Sequence, residues 1–149
     1  GTVAGAIEGV IHGIPSIAFS CCDFNEPNYS SAAAHIPKIV NYFLTHPPGQ
    51  GTLVNVSFPL KNHSEIKGFK LTRQGKELWM ENPHKRSHPT ENQSYYWLGA
   101  RVQAYEEEHD CDISWLNKGY ITAVPVHVGE LTDHHHLEKH REHFENHMA

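Results

Sequence analysis

Apolar positions recur along the chain with two different periods, and the change falls near residue 51. In residues 1–13, GTVAGAIEGVIHG, Val3, Ala6, Ile7, Val10 and Ile11 stand at i, i+3, i+4, i+7 and i+8. That spacing is the stripe of an amphipathic helix, and Gly13 followed by Pro15 supplies its stop. Gly5 and Gly9, four apart, predict close packing of this helix on a sheet. A membrane-dimer reading of the same glycines fails, because the segment is short and carries Glu8 and His12. Residues 15–21, PSIAFSC, are a short apolar run with a β-type centre, so a helix followed at once by a buried strand predicts half of an α/β unit. After the loop chemistry of 23–29, Ser30 or Ser31 can cap a helix through His46 with Ile36, Val40, Phe43 and Leu44 buried. Pro37 predicts a kink there, or a helix that begins near it.

Beyond the break PPGQG at 47–51 the period becomes two. In TLVNVSF (52–58), Val54, Val56 and Phe58 share one face, Leu53, Asn55 and Ser57 the other. In 66–73, Phe69 and Leu71 point one way and Lys70 and Thr72 the other, a half-exposed strand. A strand continues over Lys76–Glu81, with Leu78 and Met80 on one face. Residues 82–94 are polar with two prolines and predict a long loop, while Tyr95–Tyr105 is aromatic and β-prone. Glu106–Asp110 reads as an acidic turn, and Asp112 as the cap of a short helical turn stopped by Gly119. Tyr120–Val128 is a strand whose Pro125 argues for an edge or a bulge. From Thr132 onward the pattern is helical and polar.

Composition narrows the function classes. The 149 residues are a one-domain length, and 38% apolar residues suffice for one modest core. Twelve Lys and Arg against seventeen Asp and Glu give a net charge of −5, which disfavours a nucleic-acid partner. No run approaches a membrane span and none reads as a signal peptide. Three cysteines, two of them adjacent, make no disulfide framework and fit a reducing cytoplasm. The chain opens Gly-Thr-Val without an initiator Met, an opening expected of a processed chain or a piece of a longer one.

Several short motifs then occur in order. They are GTVAGAIEGVIHGIPSIAFS at 1–20, TLVNVSFP at 52–59, SEIKGFKLTRQG at 64–75, SYYWLG at 94–99 and CDISWLNKGYITAVPVHV at 111–128. Together they resemble the SurE-type survival proteins, from just after the phosphate-binding loop of that family. The resemblance implies a 5′(3′)-nucleotidase, a metal-dependent phosphatase acting on nucleoside monophosphates. It implies a three-layer, Rossmann-like α/β fold, truncated here at the N-terminus, with a β-rich C-terminal extension. Residues 1–59 would be the C-terminal part of the core, 60–128 the extension and return strand, and 129–149 a His-rich arm. It further implies a homodimer or homotetramer formed through that extension. The divalent metal it implies, Mg or Mn, is held in the family by an Asp-Asp pair, a Ser and an Asn that precede Gly-Thr-Val, so its ligands would lie outside this chain.

The residues that carry chemistry follow from both readings. Gly1 and Thr2 open a helix, where free amides and the positive end of the helix dipole favour an anion. On the residues alone ordinary helix capping is the favoured explanation, and the resemblance reverses that in favour of a substrate phosphate. Glu8 matches the family's Glu-Gly pair but reads as a solvated carboxylate. Thr72, Arg73 and Gly75 match a Thr-Arg-x-Gly signature; Arg73 can clamp a phosphate or hold a structural carboxylate. Asp112 matches a Thr-Asp pair in which Cys111 replaces the Thr. Tyr95, Tyr96 and Trp97 can stack a base, although core or interface is the commoner role. Gly1, Thr2, Arg73 and Asp112 are therefore the expected substrate-binding residues, with no catalytic or metal-binding residue in the chain.

Histidine is abundant, at 14 of 149. His136/His140 and His143/His147 are i, i+4 pairs whose spacing can chelate Zn or Ni. No cysteine accompanies them and a protein zinc site takes three or four ligands, so a solvated polar helix is the favoured reading. Glu130 and His134 resemble the family's hinge before its exchanged arm, with Gly129 an insertion. Cys21 and Cys22 read as inert core thiols. The polypeptide alone is expected to lack phosphatase activity, and the alternative to an enzyme is a non-catalytic assembly module.

Overall fold

The computed structural model describes residues 1–23, 29–60, 66–76, 78–81, 83–98, 100–103, 110–129 and 133–148. Residues 106–109 of the expected acidic turn Glu106–Asp110, and Glu130 of the hinge, lie outside them. The chain begins with helix α1 (Thr2–Ile11), strand β1 (Ile17–Cys21), helix α2 (Tyr29–Thr45) and strand β2 (Thr52–Phe58). β1 and β2 are parallel, with Ile17 opposite Val54 and Phe19 opposite Val56. Strands β3 (Phe69–Leu71) and β8 (Ile121–His127) run the other way, and the sheet order is β1-β2-β8-β3.

The period-two pattern of β2 explains why there are three layers. Val54, Val56 and Phe58 pack with Ile121 against Ala32 and Ile39 of α2. Leu53, on the opposite face, packs with Ala18 against Ala6 of α1 and the flanking Val3, Ile7 and Val10. Both faces of the strand are dry where the helices cover them: Leu53, Val54 and Val56 have no exposed surface. Each such side chain withdrawn from water contributes about 1.5–3 kcal/mol. The sheet is therefore held by helices on both sides, as a parallel α/β sheet requires.

The two glycines of α1 behave differently. A Cβ on Gly9 would overlap the Ser16 hydroxyl, whereas one on Gly5 would meet nothing within 4 Å. Gly9 thus lets α1 lie close to the turn that leads into β1, and the reading of Gly5 as a second close-packing position is corrected. In α2, Pro37 lies inside a helix that is continuous over 17 residues. The expected helix start at Pro37 does not occur, because eight residues precede it and its ring sits past the first turn.

Pro125 was expected at an edge, yet β8 lies between β2 and β3. The direction of its backbone resolves this. Val128 N donates to Gly51 O on the β2 side, and Ile121 N donates to Gly68 O on the β3 side. Amides alternate along a strand, so position 125 shares the direction of 121. β3 ends at Leu71, opposite Ala123, so the missing N–H of Pro125 faces the open side beyond that end.

β3 also reverses the expected burial. Phe69 and Leu71 are exposed, at 42% and 65%, while Thr72 is buried at 9%. The cause is helix α3 (Asp112–Asn117), which covers the polar face. Lys70 Nζ lies 4.1 Å from the Trp115 ring centroid and 5.5 Å from that of Tyr120. A cation over aromatic faces is attracted by their quadrupoles.

The segment between β3 and α3 forms a nested antiparallel ribbon. β4 (Leu78–Glu81) pairs with β7 (Ala100–Gln103), and inside them β5 (His84–Ser87) pairs with β6 (Ser94–Trp97). The long loop expected over 82–94 is thus corrected: half of it is strand and turn. His88 closes the turn, with Nδ1 accepting from Glu91 N at 3.1 Å and its own N–H donating to Gln93 O at 2.9 Å. Helix α4 (His134–Met148) follows, fully exposed.

Candidate functional site

The sheet face under α1 changes from apolar to polar along β2. Leu53 is packed against α1, but Asn55 and Ser57 follow on the same face. Across β8, Ser57 stands opposite Thr122, and Thr122 stands opposite Lys70 of β3. Thr72 lies on the same face, two residues beyond Lys70. Asn55 Oδ1, Thr72 Oγ1 and Thr122 Oγ1 are buried and have no hydrogen-bond partner among the described residues. Each unpaired buried polar atom costs about 1–3 kcal/mol. Three on one face mark a polar strip, which a ligand or another segment would satisfy.

Two helix N-termini adjoin this strip. α1 packs over β1 and β2 after a tight turn in which Ile14 N donates to Gly9 O at 2.8 Å. It therefore runs antiparallel to β1 and directs Gly1 and Thr2 toward the carboxyl ends of β1 and β2. Ligands of open α/β sheets bind at those ends. Gly1 is the N-cap of α1, no side chain caps the helix, and both Gly1 and Thr2 are exposed. Ala4 N donates to Gly1 O at 3.0 Å, and the Thr2 and Val3 amides precede that bond, the position at which a helix start offers donors to an anion.

The second terminus belongs to α3. Its N-cap is Cys111, and Asp112 is the first helical residue; the expected capping role of Asp112 is corrected accordingly. Asp112 Oδ1 accepts from Ile113 N at 2.8 Å and from Gly75 N at 2.7 Å. Asp112 N donates in turn to Arg73 O at 3.0 Å. An isolated bridge pairs Arg73 with Cys111. The Thr-Arg-x-Gly segment is thus fastened to α3 through one carboxylate. Arg73 itself is exposed, and its Nη1 donates to Gln74 O at 3.1 Å.

Cys22 extends the same neighbourhood past the end of β1, its N–H donating to Phe58 O at 3.1 Å. Burial pushes its thiol up to about 11, with Cys21 and the Asp112 carboxylate adding to the rise. Such a thiol is protonated at neutral pH and a poor nucleophile, which agrees with the expectation of an inert core thiol.

Of the expected substrate-binding residues, Arg73 and Asp112 are brought together by direct bonds, while Gly1 and Thr2 stand on a separate element. Thr122 is the residue that pattern reading missed; its signal was the alternation in YITAVPVHV, which places it opposite Ile121. Glu8 is paired with His12 at 3.1 Å on the exposed side of α1 and takes no part in the strip. Tyr95, Tyr96 and Trp97 lie on the ribbon, at 40%, 61% and 59% exposure. A groove of about 290 Å³ between α2 and β3, lined by Tyr42, Phe43, Phe69 and Leu71, opens on the other, apolar face of the sheet. Among the described residues no three His, Cys, Asp or Glu side chains converge on a point that would hold a metal ion. The donor set among the described residues does not fit the divalent metal that the resemblance implies.

The chain matches the family model "Survival protein SurE" over residues 1–81. It is 52% identical over 145 residues to the 5′-nucleotidase SurE of Protochlamydia amoebophila, an alignment covering 97% of this chain and 56% of that protein. It is 34% identical over 142 residues to the 5′-nucleotidase SurE of Symbiobacterium thermophilum, covering 95% of this chain and 55% of that one. Among solved structures, the SurE protein from Aquifex aeolicus superposes with a TM-score of 0.73 at 34% identity, covering 93% of this chain and 55% of that chain. The chain spans about half the length of the curated relatives it matches. The mixed sheet with helices on both faces agrees with the Rossmann-like α/β fold expected from sequence.

Proposed function

The chain belongs to the SurE survival-protein family, and from that premise we propose that it is the C-terminal part of a 5′-nucleotidase, a hydrolase of nucleoside monophosphates. The observation that carries the reading is the strip of buried, unpaired polar atoms Asn55, Thr72 and Thr122 on the sheet face beside which α1 places Gly1 and Thr2. Gly1 and Thr2 would receive the substrate phosphate through first-turn amides and the Thr2 hydroxyl. Arg73 would supply positive charge, and Asp112 would serve binding by fixing the loop that presents it. The Mg or Mn ion of the family would be held by residues other than those described here, so this chain's own share is anion binding and scaffold. No helix among the described residues is long and apolar enough to cross a membrane. The three free cysteines fit a reducing cytoplasm.

The test is complementation. The purified 149-residue chain, given a panel of nucleoside monophosphates with MgCl2 or MnCl2, releases no phosphate. Mixed with the N-terminal half of the Protochlamydia relative, it restores hydrolysis, and Thr2→Ala or Arg73→Gln lowers that activity about 10-fold or more. Loss of a charge-assisted contact worth about 1.5–3 kcal/mol corresponds to that factor. Hydrolysis by the chain alone, or restored activity indifferent to both substitutions, overturns the reading.

A second reading is a non-catalytic assembly module forming a homodimer or homotetramer. The exposed row Tyr95, Tyr96, Trp97 and Leu98 favours it, since aromatic rows of this kind are enriched at interfaces. A monomer by light scattering, unchanged when Tyr96 and Trp97 are both replaced by Ser, removes it.

A further inference from the structure

The histidines of α4 are not used by either reading. His136, His140, His143 and His147 fall at i, i+4, i+7 and i+11. At 3.6 residues per turn these positions lie within a stripe about 60° wide. The apolar residues Leu137, Phe144 and Met148 occupy the neighbouring stripe, so the imidazoles are separated from them and share one edge of the helix. Every residue from 133 to 148 is exposed.

The rings are already gathered in pairs. His136 and His140 have centroids 4.4 Å apart at a tilt of 33°. His143 and His147 are 6.3 Å apart and nearly parallel, at 18°. A tetrahedral ion with metal–nitrogen bonds of about 2.0–2.1 Å sets two coordinating imidazole centroids about 5 Å apart. The two pairs bracket that value, so side-chain rotation alone brings each to it. Imidazole suits zinc, nickel and copper(II). Asp133 fixes the start of the stripe, its Oδ1 accepting from His136 N at 2.9 Å.

We propose that α4 carries two histidine-pair chelates, His136/His140 and His143/His147, each binding one divalent transition-metal ion of the zinc class. Each pair gives two ligands and water fills the remaining positions, so each is a weaker chelate than the three- or four-ligand sites usual for protein-bound zinc. The sites are distinct from the nucleotidase metal, which oxygen donors of the family's core would hold. They also couple to folding. α4 buries none of its residues, and an unsupported helix of 15 residues is marginal in water. A metal clip across one turn ties i to i+4 in the helical state only, and so stabilises it.

ZnCl2 is titrated calorimetrically into the full chain near neutral pH, with far-UV circular dichroism recorded in parallel. The expected uptake is two ions per chain with a gain in helical signal. The double variants H136Q/H140Q and H143Q/H147Q each lose one ion, and the quadruple variant loses both together with the zinc-dependent helical gain. These positions are exposed, so the substitutions leave the core intact. No uptake by the wild-type chain, or uptake that the quadruple variant retains, overturns the proposal; the second result would place the metal on histidines elsewhere in the chain.

Discussion

Asp112→Ala tests how the Arg73 segment is held. One oxygen, Oδ1, accepts both the Gly75 amide at 2.7 Å and the Ile113 amide at 2.8 Å. Gly75 and Asp112 are half-buried, so the Gly75 amide loses a charge-assisted partner with limited access to water. Such a bond contributes about 1.5–3 kcal/mol. The Ile113 amide belongs to the first turn of α3, and the negative charge at that turn adds about 0.3–1 kcal/mol through the helix dipole. The expected cost of Asp112→Ala is about 2–4 kcal/mol, a large share of the 5–15 kcal/mol typical of a domain. With a urea slope of about 2 kcal/mol/M, the midpoint falls by about 1–2 M. Asp112→Asn keeps an acceptor oxygen in place and loses the charge, so its cost is about 1 kcal/mol. The same Asn variant lowers the pKa of Cys22, because the Asp112 carboxylate is one of the charges that raise it. Urea unfolding followed by circular dichroism at unchanged slope gives the first quantity, and alkylation rate against pH gives the second. An Ala variant within about 0.3 M of wild type, or an Asn variant as damaged as Ala, would refute the bridge as the element that positions Arg73.

Gly5→Ala in α1 meets open space and should stabilise the chain by about 0.5–1 kcal/mol through helix propensity. Gly9→Ala should destabilise it, because the new Cβ displaces the Ser16 hydroxyl from its 2.9 Å bond to Ile14 O. Adding Ser16→Ala should recover most of that loss, and thermal midpoints of the three variants decide the matter. Cys22 sets a pH dependence: its folded pKa of about 11 lies above the ordinary value of 9.0, so the folded state holds the proton longer. Its contribution is complete below pH 9 and is lost as pH rises through 11. The thermal midpoint should therefore fall over that window, and less steeply in Cys22→Ala; parallel curves would refute the assignment.

The parts of the fold that pattern reading anticipates are those where one periodicity meets one buried surface. β2 is the clearest example, since Val54 and Val56 on one face and Leu53 on the other announce helices on both sides. The failures share a physical cause. β5 holds His84, Lys85, Arg86 and Ser87, all exposed, and its pairing depends on backbone bonds and on Arg86 lying 5.8 Å from the Trp97 ring centroid. A ribbon with both faces in water has no hydrophobic alternation to read. β3 misleads for the opposite reason: its apolar residues face outward because Trp115 of α3 claims the polar face by stacking on Lys70. That contact joins residues 45 apart in sequence, and no local pattern encodes it. The candidate site divides along the same line. Gly1 and Thr2 are legible because a helix start is local, as is the Thr-Arg-x-Gly segment as a motif. The bond from Gly75 to Asp112, and the meeting of Asn55 with Thr122 and Thr72 on one face, depend on how β8 returns between β2 and β3. The motif identified the residues, but topology assigns them work: Asp112, read as a helix cap, is instead the tie between two segments of the site.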